Sequence, residues 1–241
     1  LATKGGVRFE NGQPAIDGRS ESLRRSLETS LRQLGVDSID LYYQHMQDPK
    51  VEPEVVAETM KQFIKEGKIR HWGIFNASAD YVERANAVTH VTAFQGRFSM
   101  LSRGSAKMFP MLQKHHIGFV AYSPLANGFL TNQEEKINKG NQLDFRNVMH
   151  QYTTAGAAEA EDITTLINRL AQEKKATPAQ ISLAWVLSQG DFIVPIPGTS
   201  KISRMAENAK AASIELTADE VKQMNTLLDQ VDYEQYEQRP M

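Results

Sequence analysis

The sequence predicts an α/β protein built from parallel strands, and two observations lead to that prediction. Short apolar runs rich in strand-forming residues alternate with stretches in which apolar residues recur at helical spacing, and the alternation repeats along the chain. Strand, helix and strand in succession are typical of parallel strands joined by crossover helices. We count about six strands. An open doubly wound sheet and a (β/α)8 barrel both fit that number.

The composition is that of an ordinary globular protein. The chain has 241 residues, of which 41% are hydrophobic and 23% charged, enough for one large domain or two small ones. Its net charge of −2 gives no electrostatic reason to expect a nucleic acid or an anionic membrane as partner. Cysteine is absent, which excludes disulfides and thiolate metal sites. We therefore expect a cytoplasmic location.

The first half of the chain contains clear helix boundaries. Ser20 is the predicted N-cap of a first helix, which Gly35 ends. Pro53 stands at the start of a second helix, which Gly67 ends. The other elements predicted here are strands at Leu1–Lys4, Ile39–Tyr43, Ile69–Ile74, Val91–Phe98 and Gly118–Tyr122, a helix from about Ser78 and a helix at Lys107–Lys114.

The second half carries two capping boxes, Thr177–Gln180 and Thr217–Glu220, each of which predicts the start of a helix. The other predicted elements are a long polar loop from about Thr131 to Glu159, a helix around Ile163–Leu170, a strand at Phe192–Ile196 and a helix at Arg204–Ala212. The chain contains no G-x-G-x-x-G after a strand and no Walker A motif, which argues against a Rossmann dinucleotide site and a P-loop.

Six segments occur in a characteristic order: ATKGG, IDLYYQH, GKIRHWGIFN, AFQGRFSML, VAYSPLANGFLT and VPIPGTSKISRMAENAKAA. Together they resemble the aldo-keto reductases, most of all the bacterial and plant reductases with SPLANGFL and PIPGT. The resemblance covers nearly the whole chain. It implies a single (β/α)8 TIM barrel domain over residues 1–241, with its active site at the C-terminal ends of the strands.

The resemblance also implies an activity. The family reduces aldehydes and ketones to alcohols by hydride transfer from NADPH, so the expected partner is a small carbonyl substrate. It uses a Tyr as the acid, a Lys that lowers the pKa of the Tyr, an Asp paired to that Lys, and a His that hydrogen-bonds the carbonyl. The matching segments assign the Lys to Lys4 and the His to His45.

The family's Asp and Tyr belong to a D-T-A-x-x-Y-G segment, which these 241 residues do not contain. We therefore expect a barrel that is N-terminally incomplete, lacking its first two βα units, and that does not reduce carbonyls as it stands. The alternative is a non-enzymatic cofactor-binding or regulatory protein on the same fold. An unrelated barrel hydrolase would need paired carboxylates at strand ends, which the sequence does not offer.

Several cofactor-binding residues follow from the same resemblance. The family binds the nicotinamide carboxamide with G-x-S-[NE] and a Gln one strand later, which correspond here to Asn76 and Gln95, with Phe75 in place of the usual Ser. Asn76 has an alternative role as a cap of the helix from Ser78. Tyr122 is expected to stack on the nicotinamide ring.

The remaining cofactor residues are expected to bind the phosphates and the adenine. The GTSK loop opens a helix, whose N–H groups and dipole favour an anion. The residues implied are Ser123, Leu125 and Asn127 along the pyrophosphate, Gly198, Ser200, Lys201 and Arg204 at the 2′-phosphate, and Glu207 and Asn208 at the adenine. No metal site is expected, because the other histidines show no metal-ligand spacing: His71, His90, His115, His116 and His150.

Overall fold

The structure is a computed structural model of the chain, and it describes residues 1–10, 13–131 and 144–237. The strands are β1 (Ala2–Gly5), β2 (Val7–Glu10), β3 (Gln13–Ile16), β4 (Ile39–His45), β5 (Ile69–Phe75), β6 (Ala93–Arg97), β7 (Gly118–Tyr122) and β8 (Ile193–Pro195). The helices are α1 (Ser20–Leu34), α2 (Pro53–Lys65), α3 (Ala79–Val88), α4 (Phe109–Lys114), α5 (Thr154–Glu159), α6 (Glu161–Glu173), α7 (Pro178–Ser188), α8 (Ile202–Ala209), α9 (Ala218–Leu228) and α10 (Tyr233–Glu237).

The chain divides into two compact units. The first unit comprises residues 1–96 and 108–119, and the second comprises residues 97–107 and the described part of 120–241. All six predicted strands are present, with ends that differ from the expected ones by a few residues.

The first unit is built on a parallel sheet. Its strands lie in the order β1-β4-β5-β6, and each pairs in parallel with its neighbour. Strand β7 starts beside this sheet, where Gly118 donates its N–H to the Thr92 carbonyl at 3.0 Å. Parallel strands need crossover connections, and α1, α2 and α3 supply them. The prediction of parallel strands with intervening helices is therefore confirmed.

Helix α1 forms because its apolar residues fall on one face. Leu23, Leu27 and Leu31 are buried, and each contributes roughly 1.5–3 kcal/mol by leaving water. Gly35 ends the helix in the left-handed region with φ 64°, as predicted. The prediction that Ser20 caps this helix is wrong. Ser20 is instead the first helical residue, and its hydroxyl lies 2.6 Å from that of Thr59 on α2.

An antiparallel hairpin of β2 and β3 follows β1 and was not predicted. Its register joins Val7 to Ile16 and Glu10 to Gln13. The hairpin is followed by buried Asp17, whose carboxylate accepts hydrogen bonds from Nε and Nη2 of Arg19 at 2.8 and 2.7 Å. This turn leads the chain into α1.

The second unit is mostly helical. The last two residues of β7 accept backbone hydrogen bonds. The Tyr122 carbonyl accepts from the Phe98 N–H at 3.3 Å, and the Ala121 carbonyl accepts from the Ile196 N–H at 2.9 Å. Both predicted capping boxes are confirmed, with the Thr177 box opening α7 and the Thr217 box opening α9. Helix α7 is buried almost throughout, which agrees with its apolar sequence ISLAWVL.

Two predictions about the second unit need correction. The polar loop predicted for residues 131–159 contains two short 3₁₀ segments, 145–148 and 150–152, and then helix α5; residues 132–143 lie outside the described part. Helix α8 begins at Ile202, two residues before the predicted start, and ends at Ala209.

Helix α10 packs against the start of α5. Its Tyr236 is buried and donates to the Gly156 carbonyl at 2.7 Å.

In the part of the chain that the structure describes, every helix is too short or too polar to cross a membrane.

Candidate functional site

The predicted residues of the first unit lie at the ends of neighbouring strands. Lys4 is near the end of β1, His45 ends β4, and Gln95 lies in β6. The register pairs Lys4 with Tyr43, His45 with Phe75, and Phe75 with Gln95. Because parallel strands end at one edge of a sheet, these residues share the edge where barrel enzymes of this class hold their active sites.

Phe75 brings Lys4 and His45 together. The Lys4 ammonium lies 5.9 Å from the centre of the Phe75 ring, and the His45 ring meets the Phe75 ring edge to face at 5.0 Å. The ammonium also lies 5.6 Å from the centre of the Tyr43 ring. The Phe that replaces the family's usual Ser is therefore a shared contact of the two predicted catalytic residues, a role that the sequence pattern did not indicate.

Partial desolvation among these rings lowers the pKa of Lys4, although its side chain still reaches solvent. A lysine whose charged form is disfavoured gains more from a nearby negative charge than a fully hydrated one does. This environment suits a group that stabilises a phenolate or an alkoxide.

Gln95 is buried and interacts with Tyr43. Burial raises the pKa of Tyr43 to about 12, and a hydrogen bond with the Gln95 side chain acts in the opposite direction. Gly73 pairs with Tyr43 in the sheet. A Cβ on Gly73 would lie 2.5 Å from the Tyr43 ring, so the ring needs a glycine there.

Asn76 follows β5 in the left-handed region, with φ 47°. Its backbone N–H donates to the Gln95 carbonyl at 3.1 Å, which ties the predicted carboxamide residues together through the main chain. The alternative role for Asn76, as the cap of α3, is wrong because Ser78 is the N-cap and its hydroxyl accepts from the Tyr81 N–H at 3.2 Å.

The predicted residues of the second unit surround a pocket of about 880 Å³. Four segments that are distant in the sequence line it: the loop after β7, residues 144–146, the start of α7, and the loop that leads into α8 together with α8 itself. The predicted cofactor residues in its lining are Ser123, Leu125, Asn127, Gly198, Ser200, Arg204, Glu207 and Asn208. Its size is typical of a site for a cofactor or another small molecule.

Two predicted residues of this unit do not line the pocket. Lys201 is exposed and is the N-cap of α8, where its backbone N–H donates to the Thr199 hydroxyl at 3.1 Å. Tyr122 ends β7 with a partly buried side chain. Lys201 is therefore placed to add charge at the helix N-terminus and does not form part of the pocket wall.

The loop after β7 has an unusual backbone. Ser123, Ala126, Asn127 and Gly128 all have φ between 48° and 101°. Such values cost free energy in residues other than glycine and persist only where surrounding contacts impose them. Here the contacts come from the 3₁₀ segment at 150–152, whose Tyr152 hydroxyl donates to the Asn127 carbonyl at 3.0 Å and whose Gln151 amide donates to the Ala126 carbonyl at 3.3 Å.

Among the pocket residues that the sequence did not predict are Asp144, Arg146 and Thr177. Asp144 and Arg146 line the pocket as an ion pair, with the Arg146 Nε 2.8 Å from an Asp144 carboxylate oxygen. Thr177 also lines it, although the sequence indicated only that it caps α7. The D-x-R spacing was the available signal for the first two. No local signal linked Thr177 to the pocket, because that relation depends on where α7 and α8 meet.

A metal site is not found in residues 1–10, 13–131 and 144–237, where no three His, Asp or Glu side chains converge as metal ligands would. Two of the remaining histidines form surface pairs, His115 with Glu83 at 3.2 Å and His150 with Glu159 at 2.9 Å.

Comparisons with known proteins identify the family of the chain. The sequence model of the Aldo/keto reductase family matches residues 1–229. The aldo-keto reductase str7 of Strobilurus tenacellus is 35% identical over 234 residues, which are 95% of this chain and 68% of that protein.

Two solved structures share the fold. The glycerol dehydrogenase AKR11B4 of Gluconobacter oxydans matches 100% of this chain and 73% of its own, with a TM-score of 0.86 and 24% identity. The thermostable aldo-keto reductase Tm1743, solved with the inhibitor epalrestat, matches 87% of this chain and 67% of its own, with a TM-score of 0.69 and 26% identity. The predicted α/β barrel fold class is confirmed by these matches.

Proposed function

Because the chain belongs to the aldo/keto reductase family, a family of oxidoreductases, we propose that it serves the reduction of aldehydes or ketones to alcohols with NADPH. One observation carries the cofactor part of the proposal. Four segments of the second unit converge on a pocket of about 880 Å³, and eight of the residues expected to bind the dinucleotide line it. The cytoplasmic location expected from the sequence belongs to the same proposal.

The donors around the pocket fit a phosphorylated dinucleotide. Helix α8 has no side-chain cap at its N-terminus, so its first N–H groups can donate to an anion. Arg204 lines the pocket one turn into that helix, and the exposed Lys201 precedes it. A guanidinium and an ammonium at a helix N-terminus favour a 2′-phosphate, which NADPH has and NADH lacks.

Glu207 and Asn208 would recognise the adenine, since a carboxylate accepts and an amide both donates and accepts. In the first unit, the buried side-chain amide of Gln95 would bind a carboxamide, since an amide offers both a donor and an acceptor. The partly buried ring of Tyr122 would stack on a flat heterocycle.

When bound, NADPH supplies the hydride. The chain's own residues then act on the substrate oxygen. His45 would donate a hydrogen bond from its imidazole to the carbonyl oxygen, and the Lys4 ammonium would stabilise the negative charge that develops there. Both side chains contact Phe75, which fixes their spacing and keeps water from one side of each. In the family, the proton comes from a Tyr that residues 1–241 do not include.

Two observations favour the second candidate function, a non-enzymatic cofactor-binding or regulatory protein. Phe75 replaces the Ser that commonly contacts the carboxamide, and the D-T-A-x-x-Y-G segment does not occur in residues 1–241. Neither affects the pocket of the second unit, so both functions require the dinucleotide to bind.

One experiment tests the proposal and separates the two functions. The protein is titrated with NADPH by fluorescence, and NADPH oxidation is followed with a panel of aldehydes and ketones. Turnover is measured in a form of the protein that also carries the family's D-T-A-x-x-Y-G segment. In that form, saturable binding with turnover supports the reductase, and saturable binding without turnover supports the second function. Absence of NADPH binding would contradict both.

A further inference from the structure

Two hydrogen bonds that join the start of α7 to α8 converge on Glu207. The Thr177 hydroxyl donates to the Glu207 carboxylate at 2.8 Å, and the Gln180 side-chain amide donates to the Glu207 backbone carbonyl at 2.8 Å. Thr177 and Glu207 both line the pocket of the second unit. Glu207 is thus fixed through its side chain and through its main chain.

Thr177 and Gln180 also form the capping box of α7. The Thr177 oxygen accepts from the Gln180 N–H at 3.3 Å, and the Gln180 carbonyl oxygen accepts from the Thr177 N–H at 3.0 Å. A threonine hydroxyl has one proton to donate. Because the cap uses only a lone pair of Thr177, the proton remains available, and it goes to Glu207.

The capping box of α9 shows that a cap does not need this second bond. The Thr217 oxygen accepts from the Glu220 N–H at 3.2 Å, and a Glu220 carboxylate oxygen accepts from the Thr217 N–H at 2.7 Å. Within the described part of the chain, neither residue belongs to the lining of the dinucleotide pocket. The two boxes have the same local geometry, and only the box at Thr177 holds a pocket carboxylate.

We propose that Thr177 is a positioning residue that holds the Glu207 carboxylate ready to accept from the 6-amino group of adenine. The consequence is selection of adenine over hypoxanthine in the dinucleotide. This inference rests on the proposed function, since it concerns the same pocket.

The chemistry of the two bases explains the selection. A carboxylate can only accept hydrogen bonds, and when Thr177 occupies one of its oxygens the other can accept from an amino group. Hypoxanthine carries a carbonyl oxygen at that position, which would face the carboxylate as a second acceptor. Orienting Glu207 before the ligand binds removes the cost of ordering its side chain and prevents the carboxylate from turning away from a mismatched base.

The test compares NADPH with its analogue in which hypoxanthine replaces adenine. Dissociation constants for both are measured by fluorescence titration for the wild type and for Thr177→Val, Thr177→Ser and Thr217→Val. We expect the wild type to prefer NADPH by about tenfold or more, the magnitude of one hydrogen bond to a charged group. Thr177→Val should weaken NADPH binding by roughly tenfold and analogue binding by less than twofold.

The other variants separate positioning from capping. Thr177→Ser keeps the hydroxyl and should keep the preference. Thr217→Val removes an equivalent cap outside the pocket and should leave both dissociation constants unchanged, whatever it does to the melting temperature. If Thr177→Val does not fold, Glu207→Gln tests the same inference. A side-chain amide can donate to the hypoxanthine carbonyl, so this variant should reduce or reverse the preference for NADPH over the hypoxanthine analogue.

Three results would overturn the inference. If Thr177→Val weakens both ligands equally, Thr177 acts only as a helix cap. If the wild type binds NADPH without preferring adenine, Glu207 does not read the base. If the wild type binds neither dinucleotide, the proposed function fails, and this inference fails with it.

Discussion

The two units hold their functional residues by different physical means. In the first unit the residues lie at the ends of buried strands, and aromatic rings fix them, as Phe75 does for Lys4 and His45. In the second unit they lie on loops and helix starts, where hydrogen bonds such as that from Thr177 to Glu207 fix them. Desolvated groups suit the stabilisation of charge in a reaction, whereas accessible donors suit the capture of an anion. Substitutions in the two units should therefore have separable effects.

The largest expected effect is that of Lys4→Met on the turnover of a form of the protein that also carries the family's D-T-A-x-x-Y-G segment. Removing the ammonium takes away the charge that stabilises the developing alkoxide, so we expect kcat for carbonyl reduction to fall by about 10²–10⁴-fold. The dissociation constant for NADPH should change by less than about twofold, since Lys4 belongs to the first unit's residues. Steady-state kinetics and fluorescence titration measure the two quantities, with Lys61→Met at an exposed site of α2 as the control. Near-normal turnover would remove Lys4 from the catalytic residues.

Gly73→Ala should strongly destabilise the first unit. The new Cβ would lie 2.5 Å from the Tyr43 ring and 2.6 Å from the Ala93 carbonyl oxygen, inside a sheet that cannot easily move apart. We expect a loss of roughly 3 kcal/mol, at the upper end of overpacking costs. Gly35→Ala is the matched control. It has open space but φ 64°, so it should lose only about 1 kcal/mol through backbone strain. Urea unfolding of both variants ranks them, and equal losses would show that Gly73 does not have to make room for Tyr43.

Arg204→Ala should change cofactor preference and little else. A guanidinium contact with a 2′-phosphate contributes about 1.5–3 kcal/mol, so the preference for NADPH over NADH should fall by roughly 10–100-fold. Its effect on kcat at saturating NADPH should be small because Arg204 belongs to the second unit. Arg169→Ala, at an exposed residue of α6 in the same unit, serves as the control. If Arg204→Ala keeps the preference for NADPH over NADH, Arg204 does not bind the 2′-phosphate.

The smallest effect concerns acid stability. The Arg19 guanidinium, through its hydrogen bonds, holds the pKa of the buried Asp17 carboxyl well below its usual range. Because the folded-state pKa is below the unfolded value of about 4, this stabilisation is present above pH 4 and is lost as the pH falls further. Asp17→Asn should therefore lower the melting temperature at pH 7, and its difference from the wild type should shrink towards pH 2. Melting curves across this range, with the exposed Asp37→Asn as control, check the prediction. A constant difference at all pH values would contradict it.

Local patterns in the sequence were enough to predict much of this fold. The six main strands follow from short apolar runs, and both capping boxes follow from four-residue motifs, because each depends only on neighbouring residues. The hairpin of β2 and β3 was missed, although the Asn-Gly pair between its strands is a known hairpin signal. Ser20 was misassigned because its hydroxyl meets Thr59 of another helix, a contact that no local pattern contains.

The candidate site shows the same difference between features that depend on neighbouring residues and contacts between distant elements. The positions of Lys4 and His45 near strand ends, and of Gln95 within a strand, could be predicted, since strands can be recognised in the sequence. The role of Phe75 as a shared contact could not be, because it depends on the register between strands. Thr177 was recognised as a cap and not as a pocket residue, because its partner Glu207 lies 30 positions away in the chain.

The backbone torsion angles directly after three strands limit which residue types this protein tolerates there. Met46, Asn76 and Ser123 follow β4, β5 and β7 directly, and their φ angles are 79°, 47° and 51°. A β-branched residue at any of them would meet a steric penalty that glycine avoids and that asparagine or aspartate largely escapes. In a library randomised at these positions and selected for expression, glycine, asparagine and aspartate should be enriched, and valine, isoleucine and threonine depleted. At these three positions the backbone torsion angles therefore restrict the tolerated residue types independently of any substrate.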